Sequence, residues 1–130
     1  MAPTSRRRLA TFAVVGWMTV IFLLSSQSTL PKAGGLPADV TAVMGHLVAY
    51  AVLAALIRLA IGGTASDRRA DLLAIALATL YGASDEFHQS FVPGRDASVL
   101  DLGVDLVGGI LGVTLVGLAR SVRGVASGER

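Results

Sequence analysis

Residues 40–61 read VTAVMGHLVAYAVLAALIRLAI, an apolar run in which the main polar interruptions are His46, Tyr50 and Arg58. At a rise of about 1.5 Å per residue, a helix of this length can cross a hydrocarbon core of about 30 Å. Gly62 and Gly63 follow directly, and paired glycines are typical of a helix end. The stretch therefore predicts a membrane-spanning α-helix.

The composition of the whole chain supports the same conclusion. Of its 130 residues, 53% are hydrophobic and 15% are charged, with a mean hydropathy of +0.67. A water-soluble domain of this size could not bury so much apolar surface in one core, so we expect an integral membrane protein. The chain has no Cys, which excludes disulfides, thiolate catalysis and zinc–thiolate sites.

The rest of the chain predicts three further helices. An apolar run follows Arg6-Arg7-Arg8, and we interpret it as a retained helix because no small-residue cleavage pattern comes after it. Pro93-Gly94 interrupts the second half of the chain, and Ser98 is a suitable N-cap for the last helix. The predicted fold is all-α, a single domain forming a four-helix transmembrane bundle with helices over residues 9–25, 40–61, 72–91 and 98–122.

The basic residues predict the orientation of this bundle. Only Lys32 and Arg95 fall on one side, and the other arginines, Arg58 included, fall on the opposite side. Because cytoplasmic segments carry the excess of Lys and Arg, we expect both termini in the cytoplasm and a multi-pass protein of the cell membrane. Topology also accounts for the net charge of +2, so no nucleic-acid partner is expected.

Polar residues concentrate at the predicted outer ends of the helices. Asp85, His88 and Gln89 share one face of the third helix, and Asp101 and Asp105 continue into a Gly108–Gly112 stripe on the fourth. We therefore predict one outward-facing pocket. Its catalytic candidates are His46, Asp85, Glu86, His88, Gln89 and Asp101, and its ligand-binding candidates are Tyr50, Tyr81, Arg95, Asp105, Ser26 and Gln27.

These motifs together resemble the VanZ-like family of small membrane proteins, named after a teicoplanin-resistance protein. The resemblance runs from Leu9 to Leu118 and is carried by Ser25-Ser26-Gln27, His46-x-x-x-Tyr50, Asp85-Glu86-x-His88-Gln89 with Phe91, and Pro93-Gly94-Arg95 before Asp101. The chain has Ala42-Val43 where the family often has Asp-Lys, and Asp105 where many relatives have Asn. The resemblance implies a role in the cell envelope, including resistance to teicoplanin-type glycopeptides.

Several functions fit the predicted pocket. The leading hypothesis is recognition of a lipid-linked or amphipathic envelope molecule, with membrane lipids as surroundings. A membrane hydrolase or transferase is the alternative, with Asp85 or Glu86 set against His46 or His88 for proton transfer. A small proton-coupled transporter and a purely structural polar network stay open, as does a homo-oligomer. The ligand set would suit a divalent metal, but no metal-binding spacing is present, so no metal is predicted and no cofactor is identified.

Overall fold

The computed structural model describes residues 3–29, 35–126 and 128. They form four helices, α1 (Pro3–Ser25), α2 (Ala38–Ile61), α3 (Arg68–Gln89) and α4 (Val99–Ala126), and no strand occurs among them. The predicted all-α four-helix fold is confirmed. Three helices, over Ser5–Ser25, Ala38–Ile61 and Val99–Ala126, are long and apolar enough to cross a membrane. The cytoplasmic position of both termini stays a prediction, and Lys32 lies outside the described residues.

Several helix ends differ from the predicted ones. Helix α1 begins at Pro3 and includes the three arginines. Helix α3 begins at Arg68 rather than residue 72, because the Asp67 carboxylate accepts a hydrogen bond of 3.2 Å from the Ala70 amide. It ends at Gln89, two residues early. The predicted cap on α4 is present, since Ser98 Oγ accepts from the amides of Leu100 and Asp101.

Helix α2 lies at the centre of the bundle and packs against the other three helices. Its contact with α4 is close, because α4 presents glycines to it. A Cβ atom on Gly108 would lie 2.6 Å from the Leu47 carbonyl oxygen, and one on Gly112 would overlap the Ala51 carbonyl. The glycine stripe that the sequence predicts on α4 is therefore the surface on which α4 approaches α2.

The middle of the bundle is apolar inside and outside. Leu53 and Ala54 on α2 and Ala74 and Ala78 on α3 are fully buried. Large apolar side chains point outward, and Leu80 of α3 is 67% exposed. Such a surface is suited to lipid rather than water, as the membrane prediction requires.

A buried ionic group closes one end of α2. Arg58 is only 1% exposed, and its Nε donates to the Asp71 carboxylate of α3. Its Nη1 donates to the Gly62 carbonyl, and its Nη2 donates to the Thr64 carbonyl at 2.7 Å. The sequence suggests only a topological role for Arg58, but its side chain ties the end of α2 to the start of α3. We call Arg58, Gly62, Thr64 and Asp71 the Arg58 cluster.

Candidate functional site

A second polar group surrounds His46, twelve residues before Arg58 on α2 and therefore about 18 Å away along the helix axis. Helices α3 and α4 and the loop between them supply the other members. Most of these side chains are buried, although the surrounding surface is apolar. We call this set the His46 cluster, and it consists of His46, Tyr50, Asp85, Glu86, Gln89, Arg95, Asp101 and Asp105.

A hydrogen bond across the α2–α4 contact fixes the imidazole of His46. Its Nδ1 lies 2.9 Å from Oδ1 of Asp105, a residue with no exposed surface. An ionised Asp105 carboxylate accepts a hydrogen bond from Nδ1–H, and in the neutral imidazole Nε2 then carries the lone pair. A Cβ atom on Gly82 of α3 would lie 2.6 Å from Asp105 Oδ2, so this glycine makes room for the carboxylate. Asp105 thus orients the His46 ring, whose Nε2 lies on the side of Glu86 of α3.

Glu86 of α3 faces Nε2 of His46. Its Oε2 accepts a hydrogen bond of 2.7 Å from the Ser98 amide, just before α4. Its Oε1 lies 3.9 Å from His46 Nε2, beyond hydrogen-bonding distance. Oε1 is buried and has no hydrogen-bond partner among the described residues. Glu86 is therefore held at one oxygen and left unpaired at the other.

A short relay of side chains connects the buried interior to the loop before α4. Gln89 Nε2 donates to Asp85 Oδ2 at 3.0 Å, and Arg95 Nη2 donates to Gln89 Oε1 at 2.8 Å. Asp85 Oδ1 and Arg95 Nη1 are buried without a partner among the described residues. The same holds for the hydroxyl of Tyr50, whose ring stacks on His46 at a centroid distance of 6.1 Å. The cluster thus presents both donors and acceptors that no described residue satisfies.

Two cavities reach this cluster. The first, which we call the mouth cavity, has a volume of about 490 Å³ and is lined by polar groups that include His46, Gln89, Arg95 and Asp101. The second, the side cleft, measures about 110 Å³ and lies between α1, α2 and α3. Its walls include the apolar side chains of Ile21, Leu24, Ala42 and Ala49. His46, Gln89 and Arg95 line both, so a more polar space and a more apolar space adjoin at these side chains.

The structure does not bring every predicted residue into this cluster. His88 lies on the α1 side of α3, where its Nε2 is 3.1 Å from Ser26 Oγ and its ring is 4.6 Å from that of Phe22. His88 comes two residues after Glu86 on the same helix, so the two side chains point to nearly opposite sides. Tyr81 donates its hydroxyl to the Met18 carbonyl of α1 at 2.7 Å.

Other residues at this end of the bundle also differ from the predicted set. Gln27 is exposed beyond the end of α1 and lines neither cavity. Thr41, which lies outside the predicted set, lines both cavities. No motif marks Thr41, because its role depends on how α2 is rotated in the bundle.

Three ligand atoms of the cluster are grouped closely enough to hold a metal ion. His46, Glu86 and Asp101 each offer one, and these atoms lie within 4.8 Å of one another. The remaining chemistry is that of an imidazole oriented by a carboxylate beside an unpaired carboxyl oxygen, which suits proton transfer or ligand binding.

The chain was compared with known proteins and families. Neither a curated protein nor a solved structure shows significant similarity to it. The model of the VanZ/LLP1 family matches residues 10–120, a range that contains the whole His46 cluster and most of all four helices. With this match over most of its length, and with three helices able to cross a membrane, the chain belongs to the VanZ/LLP1 family and is a VanZ-like membrane protein.

Proposed function

We propose that this VanZ-like protein binds a lipid-linked or amphipathic molecule of the cell envelope through the mouth cavity. One observation carries the proposal. The mouth cavity, which is the more polar of the two, and the apolar side cleft adjoin at His46, Gln89 and Arg95. A molecule with a polar head and an apolar tail needs such a pair of spaces, because each part then meets groups of its own polarity.

The unpaired atoms of the cluster indicate what the head group offers. Buried polar atoms without partners carry a desolvation cost that a bound ligand can remove. Arg95 Nη1 supplies a charged donor, and the Tyr50 hydroxyl can donate or accept. Arginine pairs well with phosphate, so we expect an anionic head group such as a lipid phosphate.

The biological setting that we propose is the cell membrane, crossed several times, with the mouth cavity on the outer side. The sidedness rests on the distribution of basic residues, and the envelope role rests on membership of the VanZ/LLP1 family. Resistance to teicoplanin-type glycopeptides follows from the same reasoning. Expression of the wild-type chain in a susceptible bacterium should raise the inhibitory concentration of teicoplanin, whereas Arg95→Gln should not.

Ligand-dependent thermal unfolding of the detergent-purified chain tests the binding itself. Short-chain lipid phosphates and teicoplanin are the probes, and Arg95→Gln is compared with Arg69→Gln, which changes an exposed arginine on α3. A ligand at about 100 times its Kd stabilises a protein by about 2.7 kcal/mol, which is readily measured. We expect a midpoint increase in wild type and Arg69→Gln that is much smaller in Arg95→Gln. Equal responses in both variants, or no response to any probe, would refute the proposal.

A membrane hydrolase or transferase is the second candidate, because Asp105 orients His46 as a carboxylate orients a general base. Nε2 would accept a proton and Glu86 would supply one. Turnover of a lipid-linked substrate by the purified chain, abolished in His46→Gln while binding persists, would establish the enzyme. We do not propose a transporter, since the buried residues that separate the His46 cluster from the Arg58 cluster, Leu53, Ala54, Ala74 and Ala78, are apolar.

A further inference from the structure

We propose that the His46 cluster binds one divalent transition-metal ion between His46 Nε2, Glu86 Oε1 and the carboxylate of Asp101. The proposal goes beyond the binding function above and does not depend on it, since a cation can bind without any amphipathic ligand. It rests on three features of the cluster, which are the orientation of His46, the unpaired oxygen of Glu86 and the excess of carboxylates.

The orientation of His46 is that of a metal ligand. Its Nδ1 donates to buried Asp105, and a histidine held in this way presents the lone pair of Nε2. Metal-bound histidines usually donate their second nitrogen to a carboxylate or carbonyl, which fixes the ring and strengthens the ligand. Asp105 therefore acts as the positioning residue, and the ring is set before any ion arrives.

The unpaired oxygen of Glu86 is an independent sign of a missing partner. The side chain is only 10% exposed, and Oε1 points toward His46 Nε2 at 3.9 Å with no hydrogen bond from the described residues. Two lone pairs that face each other across this gap repel unless a proton or a cation lies between them. The anchoring of Oε2 by the Ser98 amide keeps Glu86 next to the start of α4, where Asp101 lies.

The distances suit a small cation after a modest adjustment. Ligand atoms on a tetrahedral zinc ion lie about 3.4 Å apart, given bonds of about 2.0–2.2 Å. One ligand atom from each of the three residues lies within 4.8 Å of the other two, so the side chains have to close by up to about 1.4 Å. One imidazole with two carboxylates suits Zn²⁺ or Mn²⁺ better than Mg²⁺. His46 and Asp101 also line the mouth cavity, so water or a ligand can reach the ion.

The His46 cluster contains more acidic than basic side chains. Glu86, Asp101 and Asp105 carry negative charge around a neutral His46 when they are ionised. The nearby Arg95 donates to Gln89, and among the described residues it forms no ion pair with these carboxylates. Protonation of His46 would balance one of these charges, whereas a divalent ion would balance two of them.

Metal titration of the detergent-purified full chain tests the proposal. The protein is first treated with a chelator, then equilibrated with Zn²⁺, Mn²⁺ or Mg²⁺ and desalted, and the metal bound per chain is measured. Co²⁺ is used as a spectroscopic probe of a nitrogen and oxygen ligand set. The variants are Glu86→Gln and Asp101→Asn, and the matched control is Asp39→Asn, an exposed carboxylate near the start of α2.

We expect about one Zn²⁺ or Mn²⁺ per chain in wild type and in Asp39→Asn, with affinity at least about 10-fold weaker in both ligand variants. The absence of bound metal in folded wild type would overturn the proposal, as would equal affinity in wild type and both ligand variants. If Glu86→Gln does not fold, Asp101→Asn decides, because Asp101 is only half-buried. Since no lipid is present, a failure here leaves the proposed binding function standing.

Discussion

The two polar clusters on α2 differ in how completely their buried groups are paired. In the Arg58 cluster, the guanidinium donates to the Asp71 carboxylate and to two carbonyl oxygens. In the His46 cluster, one oxygen of each of Tyr50, Asp85, Glu86 and Asp105 is buried and has no partner among the described residues. Both clusters are centred on a buried side chain of α2, so they differ in hydrogen-bond pairing rather than in the burial of their central residue.

This difference separates a structural role from a functional one. A buried charge whose hydrogen bonds are all made stabilises one arrangement of the helices and needs nothing further. Unpaired buried oxygens cost free energy, and such a cost persists in proteins where function requires it. The contrast supports a structural role for the Arg58 cluster, as a lock of the bundle, and the proposed ligand-binding role for the His46 cluster.

The largest expected effect comes from breaking the lock. Arg58→Met leaves the Asp71 carboxylate and two carbonyls without their donor, and because Asp71 is partly exposed we take the lower end of the range for a buried pair, about 3 kcal/mol. We expect a loss of this size in the free energy of unfolding, measured in detergent. Arg69→Met, at an exposed position, should change it by less than about 0.5 kcal/mol. Similar losses in the two variants would refute the assignment of Arg58 as a lock.

The helix contact between the two clusters can be tested next. Gly112→Ala places a methyl group against the Ala51 carbonyl of α2, and overpacking of this kind costs about 1–3 kcal/mol. Ligand binding should weaken as well, because His46 and Asp105 pair across the same α2–α4 contact. Gly103→Ala meets no atom within 4 Å and serves as the control. An unchanged unfolding temperature for Gly112→Ala would show that the close approach of α2 and α4 is not required.

A smaller effect is expected for Asp105→Asn. The new amide oxygen can still accept from His46 Nδ1, and its NH₂ group replaces an oxygen that has no partner among the described residues. We expect the free energy of unfolding to change by less than about 1 kcal/mol. Asp71→Asn, which loses the ion pair with Arg58, should cost about 1.5–3 kcal/mol. The reverse order of the two losses, measured by denaturant unfolding, would contradict the contrast between the clusters.

The smallest effect is expected at the other histidine. His88→Ala removes contacts to Ser26 and Phe22 at the α1–α3 contact and leaves the His46 cluster untouched. Stability should change by about 0.5 kcal/mol or less, and ligand-dependent unfolding should match that of the wild type. A loss of ligand response in this variant would show that the site extends to α1.

Much of the fold could be predicted from the sequence, because apolar runs and glycine or proline breaks determine where helices form in a membrane. The pairing of His46 with residues of α3 and α4 could be anticipated in part, since these residues occur at the same end of their helices. The Gly108–Gly112 stripe indicated how closely α4 could approach. These patterns show where each residue lies along the axis of its helix.

Rotation about the helix axis is what the sequence leaves undetermined. His88 and Glu86 are neighbours in one motif, but α3 is turned so that Glu86 faces His46 and His88 faces α1. From the sequence, Arg58 counts as one of the basic residues that set the orientation in the membrane. The rotation of α2 instead directs its side chain inward to Asp71. The spacing of apolar residues along a helix cannot assign these partners, because large apolar side chains lie on the outside of this bundle as well as inside it.

The most direct test of the contrast is the free energy of unfolding of Glu86→Gln without any ligand. The glutamine oxygen can keep the hydrogen bond from the Ser98 amide, while the unpaired buried charge is removed at nearly constant volume. If the His46 cluster is a ligand-binding site, the variant should be as stable as wild type or up to about 1 kcal/mol more stable. A loss comparable to that of Arg58→Met would contradict the account, since Glu86 would then be part of a second structural lock.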